Sequence, residues 1–252
     1  MPRNAALLAL ACASLLLAAC GKGNPTAART TPTHAPAGAG TGKTASALTR
    51  AQALAYAHAV NLREEDVPGF HASVKTATPK SKAEQRAEGE LLSCLGAPSA
   101  AGEIAEVPSQ SFSRKRTLSQ LEVSSTVSVA RTEAEAAQIL SALRGADAKS
   151  CLTRYFDRLF RGPSYHGAAI GRISVASGSP PAPGMAGSFG LRLTVSLIVR
   201  TIPIPFYLDI LGFVSGRAEV SLISSGVPLP FPAAGEEHLF TTLLDRAREH
   251  HI

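Results

Sequence analysis

Leu191, Leu193, Val195, Leu197 and Val199 alternate with Arg192, Thr194, Ser196, Ile198 and Arg200. On a pleated strand this alternation sends every second side chain to the same face. It commits the chain to a sheet with one side packed and the other more polar. Leu121, Val123, Ser125, Val127 and Val129 share one face of a second strand, and Ala218, Val220 and Leu222 form the inner face of a third. Further strands are predicted over Phe70–Val74, Ser109–Leu118 and Ala169–Ala176.

Helical periodicity lies between these segments in no regular strand–helix rhythm. Thr49 to Asn61 carries Leu54, Tyr56 and Val60, and Ser81 to Leu95 is a charged amphipathic stretch ended by Gly96 and Pro98. Thr132-x-x-Glu135 is a capping box, in which each side chain satisfies the other residue's free backbone N–H. Ala136, Ile139, Leu140 and Leu143 follow it at helical spacing. A second helix carries Leu152, Tyr155, Phe156 and Leu159, and a closing helix runs from Ala233 to His250. Strands and helices mixed without β–α alternation predict an α+β fold with a mainly antiparallel sheet packed by helices, forming a single domain over residues 48–252.

The N-terminus sets the compartment. Arg3 precedes an apolar run from Ala5 to Leu17, too short for a permanent span, which needs about 20 residues. The run ends in Leu17-Ala18-Ala19-Cys20-Gly21, which resembles the lipobox of bacterial lipoproteins. The resemblance implies a signal peptide over residues 1–19 and a diacylglycerol on the Cys20 thiol. Two acyl chains anchor a protein stably to the cell membrane where one is marginal, so the domain is expected on the extracytoplasmic side. Residues 20–47 are Ala, Thr, Gly and Pro with few large apolar side chains, a flexible tether with a reach of about 28 Å. Within it, Gly42-Lys43-Thr44 ends like a phosphate-binding loop, but Ala37 stands where that motif needs Gly. It is read as linker.

Cys12 leaves with the signal and Cys20 takes lipid, so Cys94 and Cys151 remain as a pair in an oxidising setting. A disulfide joining two helices over the sheet is predicted. With the strand Val123–Val129, the helix Thr132–Leu143 and Cys151 in this order, the chain resembles the PsbP-like α+β fold of LpqN-type lipoproteins and of the extracellular sensor domain of the kinase PknH. That resemblance implies a non-enzymatic binding or sensing module.

Recognisable catalytic motifs are missing: no G-x-S-x-G, S-x-x-K or H-E-x-x-H occurs. No catalytic residue, metal or cofactor is expected. The alternative is an extracytoplasmic hydrolase using His71 or His166. Glu64-Glu65-Asp66 reads as a solvated acidic turn. A net charge of +6 spread along the chain, with no Trp, gives no nucleic-acid footprint. Arg114 and Arg116 would share one strand face and could meet an anionic head group or wall polymer, although Lys and Arg on an edge strand more often discourage aggregation.

Ile202 to Val214 is nearly all apolar, with Asp209 its one charge. Pro203 and Pro205 bar a continuous central strand there. The segment is either a core strand entered through a bend or an apolar wall, in which Phe206, Tyr207, Leu208, Leu211 and Phe213 line a ligand cleft. The expected partners are the membrane, through the N-terminal lipid, and a hydrophobic or amphipathic ligand, wall component or envelope protein. A third reading is a structural partner in an envelope complex.

Overall fold

The computed structural model describes residues 48–73, 81–97, 103–160 and 169–252. Cys20, the tether with its Lys43 segment, Val74, Pro98 and His166 lie outside the described residues. In chain order the elements are α1 (Arg50–Val60), a 3-10 turn (Glu64–Asp66), β1 (His71–Ser73), α2 (Lys82–Leu95), β2 (Glu103–Pro108), β3 (Ser111–Lys115) and β4 (Gln120–Ala130). They continue with α3 (Glu133–Arg144), α4 (Ala148–Phe160), β5 (Ala169–Gly178), β6 (Gly187–Val199), β7 (Ile202–Ser215), β8 (Ala218–Val227) and α5 (Ala233–Glu249). Every strand pairing is antiparallel, so the chain is a single α+β domain as its patterning predicts.

The sheet runs β1-β3-β4-β8-β7-β6-β5, with β2 also on β4. β2 and β3 share one edge of the long β4, pairing with Thr126–Ala130 and Gln120–Val123 respectively. The sequence predicts one strand over Ser109–Leu118, whereas two short strands flank Ser109 and Gln110. Pro108 ends the first because it has no N–H to extend the ladder. Ser109 bridges the break: its N–H donates to the Ser125 carbonyl at 2.8 Å and its Oγ accepts from the Ser125 N–H at 2.9 Å.

β6 and β7 form an unbroken ladder from Gly187↔Val214 to Val199↔Ile202. Arg200 and Thr201 connect them at φ 49° and 75°, the left-handed pair that a two-residue hairpin needs to match strand twist. β7 is therefore continuous through Pro203 and Pro205, against the sequence expectation. The ladder to β8 begins only at Tyr207↔Gly226, so both prolines sit where β7 is still an edge strand.

Alternation along the strands divides the core between the two faces. On one face, Leu152, Phe156 and Phe160 of α4 and Leu140 of α3 cover Leu191, Leu193, Val195, Phe206 and Leu208. On the other, α1 and α5 cover Val123, Val127, Val220, Leu222 and Phe213 with Tyr56, Leu239, Phe240 and Leu243. Each such burial contributes roughly 1.5–3 kcal/mol. The capping boxes of α1 and α3 both form; in α3 the Thr132 Oγ1 accepts from the Glu135 N–H at 3.2 Å.

Asp66 departs from the solvated turn read from sequence. Its side chain is 8% exposed and accepts two hydrogen bonds from Arg246 of α5, at 2.8 and 2.7 Å. The same guanidinium donates to the Asn61 carbonyl at 2.9 Å. This fork ties the end of α1 to α5, and bidentate geometry is what an Arg–carboxylate pair away from water requires.

Candidate functional site

Cys94 near the end of α2 and Cys151 in the first turn of α4 form the predicted disulfide, with Cα atoms 5.8 Å apart. It pins α2, whose apolar contribution to the core is small, against α4, whose Leu152, Tyr155 and Phe156 are buried. Between the two helices runs an open groove of about 590 Å³, lined by Arg86, Gly89, Glu90, Ser93, Cys94 and Arg154. A smaller hollow of about 100 Å³ continues it past Tyr155 and Arg158 to Cys151. Three guanidinium groups and the Glu90 carboxylate thus line the groove and the hollow. Glu90 pairs with Arg86 at 3.4 Å and with Arg158, and Arg154 Nη2 lies 2.8 Å from the Cys94 sulfur. Such an array is suited to an anionic group, because planar guanidinium forks match carboxylate and phosphate oxygens.

A second polar cluster sits beside α5. Arg192 on β6 and Asp209 on β7 are direct cross-strand partners, joined by two hydrogen bonds of 2.6 and 2.9 Å. The hydrogen bond to Asp209 holds the Arg192 guanidinium above its ordinary value. Glu236 in the first turn of α5 lies 3.8 Å from Arg192 and accepts a hydrogen bond from Ser224. Burial lifts the Glu236 carboxyl to about 7; neighbouring Asp209 adds to the rise, and the Ser224 hydrogen bond and Arg192 oppose it. Glu219 on β8 is likewise pushed up to about 7, by burial first and then by Glu103, against its hydrogen bond with Ser221. Glu103 in turn is raised by burial and by Glu88.

These two carboxyls make stability depend on pH with a definite sign. A carboxyl raised on folding binds its proton more tightly in the folded chain. Its contribution is complete below the ordinary value of 4.5 and is lost as pH rises through about 7. The domain is expected to unfold at a higher urea concentration at pH 5 than at pH 8. Each group contributes a decline of at most about 1.4 kcal/mol per pH unit. Glu236→Gln should flatten part of that decline and Glu219→Gln another part; equal midpoints at both pH values in the parent chain would refute the assignment.

The residues singled out in the sequence do not converge on one place. Phe206 and Leu208 are 1% exposed in one core cluster, while Phe213 is fully buried in the other. Tyr207 and Leu211 share the Phe213 side of the strand, partly buried. Neighbouring residues of a strand point to opposite faces of a sheet, so the five cannot form one apolar wall. Arg114 and Arg116 also part company. Arg114 ends over the Phe70 ring, 4.7 Å from its centroid, whereas Arg116 belongs to the exposed turn after β3. β3 is not the edge of the sheet, because the three residues of β1 take that place. His71 is exposed on β1.

The groove over the disulfide was not legible in the sequence beyond the Cys pair itself, because Arg86, Glu90, Arg154 and Arg158 read as ordinary solvated helix faces. Among the described residues no group of three His, Cys, Asp or Glu could hold a metal, and no helix is long and apolar enough to cross a membrane. No protein-family model matches the chain, and no curated protein matches it. Among solved structures it is similar to the crystal structure of the extracellular domain of PknH from Mycobacterium tuberculosis, at 9% identity and a TM-score of 0.43, over 77% of this chain and 96% of that one.

Proposed function

We propose that this chain is an exported lipoprotein, anchored to the cell membrane through Cys20, whose folded domain is a non-enzymatic binding or sensing module for an envelope component. The observation that carries the binding reading is the groove between α2 and α4. It is open and fixed by a disulfide, and Arg86, Arg154 and Arg158 gather there with Glu90. An amphipathic ligand or wall component would enter it through an anionic group. The apolar β7 segment serves this domain as core, so the hydrophobic part of such a ligand would stay at the surface. The disulfide itself supports an oxidising compartment. A hydrolase using His71 or His166 is the weaker reading, since His71 stands at the sheet edge opposite β5.

Native mass spectrometry of the mature chain extracted from membranes tests both parts. The expected mass begins at Cys20 and includes a diacylglycerol, which Cys20→Ala abolishes. A co-purified anionic compound is expected on the parent chain, reduced at least about tenfold by Arg154→Ala with Arg158→Ala, since charged hydrogen bonds are worth about 1.5–3 kcal/mol each. A chain that keeps Met1 without lipid would overturn the anchor. Undiminished ligand on the arginine variant would remove the groove from the proposal.

A further inference from the structure

The sheet has two ends, and among the described residues the large exposed apolar side chains gather at one of them. Leu118, Val199, Ile202 and Leu229 are 84%, 37%, 63% and 64% exposed. Strand register places them together. Gln120 of β4 pairs with Val227 of β8, and Tyr207 of β7 pairs with Gly226, so Leu118 stands two residues beyond a common level and Leu229, folded back beside Gly226, lies close to it. Ile202 and its partner Val199 project four residues beyond the same level, about 7 Å further along the strands than Leu118. Three strand spacings separate the β3–β4 turn from the β6–β7 turn, roughly 15 Å.

The tips are built to hold these side chains outward. The Arg116 N–H donates to the Ser119 carbonyl at 2.8 Å, closing a tight turn with Leu118 at its crest. The left-handed pair Arg200–Thr201 turns the other hairpin. Beside them, the loop after β8 folds back so closely that a Cβ on Gly226 would lie 2.1 Å from the Leu229 carbonyl oxygen. Buried Phe231, 5.8 Å from the Phe70 ring, fastens that loop while Leu229 stays outside. Residues 115–119, 199–203 and 228–232 carry Lys115, Arg116 and Arg200 as exposed cations and contain no Asp or Glu.

We propose that this end of the sheet is a docking surface for an anionic lipid bilayer, into whose interface Leu118, Ile202 and Leu229 insert while Lys115, Arg116 and Arg200 meet the head groups. Rigid apolar tips flanked by cations match the two layers of such an interface: acyl chains below, phosphate above. The occupant follows from the chain's own anchor, and to that extent the inference rests on the lipid reading of Cys20. The tether joins the domain ahead of α1, whose far end is fixed where the Leu62 N–H donates to the Ser125 Oγ at 2.9 Å. Fully extended, residues 20–47 would span about 90 Å, longer than the whole of β7 at about 46 Å, so both contacts can be made at once from either end of the sheet. The lipid would hold the domain near the bilayer and the tips would orient it, leaving the α2–α4 groove on a flank.

The chain holds no Trp, so single substitutions report insertion without background. Leu118→Trp, Ile202→Trp and Leu229→Trp, each in the lipidated full chain reconstituted into phosphatidylglycerol-containing vesicles, are expected to show blue-shifted emission and quenching by brominated acyl chains. Ser141→Trp, on exposed α3, should show neither. High salt or neutral vesicles should reduce the quenching, roughly fivefold per cation lost. Equal, unquenched emission at all four positions would overturn the proposal. So would quenching that needs an added membrane-protein extract, which would assign the surface to a protein partner. If the purified chain carries no lipid, flotation of that same chain with the same vesicles still judges the surface by itself. Leu118→Ser with Ile202→Ser and Leu229→Ser should then lower the floated fraction at least about tenfold, with the thermal unfolding midpoint retained.

Discussion

Replacing Phe213 by Ala is expected to destabilise the domain by about 3–5 kcal/mol. The ring is fully buried and meets Phe240 of α5 edge-on, with centroids 5.5 Å apart at 87°. Truncation removes its burial and leaves a cavity between the sheet and α5, where Val220 and Leu243 are themselves fully buried and have little room to collapse inward. The edge-to-face contact adds roughly 0.5–1.5 kcal/mol to the loss. Urea unfolding should show the midpoint falling with an unchanged slope, and the thermal midpoint should drop on the order of 10 °C. Tyr207→Ala, on the same side of the strand but only partly buried, should cost much less. If the two substitutions cost the same, Phe213 is not the core residue its burial makes it. The contrast bears on function, because loss of ligand binding by Phe213→Ala would report unfolding and not a missing contact.

Removing the Cys94–Cys151 bridge, as Cys94→Ser with Cys151→Ser, should cost about 4 kcal/mol on the chain-entropy account, given the 57-residue separation. The loss should also be uneven. Among the described side chains of α2 only Ala87 is buried, with Leu91 and Leu95 packed from the rim, whereas α4 is rooted by Leu152, Tyr155, Phe156 and Phe160. Without the bridge that rim and polar contacts such as the Glu90–Arg158 pair remain to hold α2. Hydrogen exchange should accelerate first in Lys82–Leu95 while the β6–β7 ladder stays protected, since regions with few buried contacts open at lowest cost. Because Arg86 and Glu90 ride on α2, the groove would lose its shape as well. A double variant within 1 kcal/mol of the parent, with α2 still protected, would remove the bridge from any role in shaping the groove.

Local patterning determined most of the elements. Period-two alternation placed β4, β6 and β8, capping chemistry placed the start of α3, and the expectation of an exported chain paired Cys94 with Cys151, because each of these signals acts over a few residues or by elimination. It failed where one segment's state depends on a distant neighbour. Pro203 and Pro205 argued against a continuous strand, yet β7 tolerates them because β8 ends before reaching them. Glu64-Glu65-Asp66 read as solvated because Arg246, which buries Asp66, lies 180 residues away. The Arg192–Asp209 pair was within reach of sequence: once the hairpin turns at Arg200–Thr201, register puts 192 opposite 209. The arginine groove and the apolar sheet end were not within reach, since each is assembled from segments that look unremarkable alone. Local signals decide which residues become helix and strand. Only the pairing register and helix docking, which sum many weak long-range contacts, decide which charges are buried and which apolar side chains share a surface.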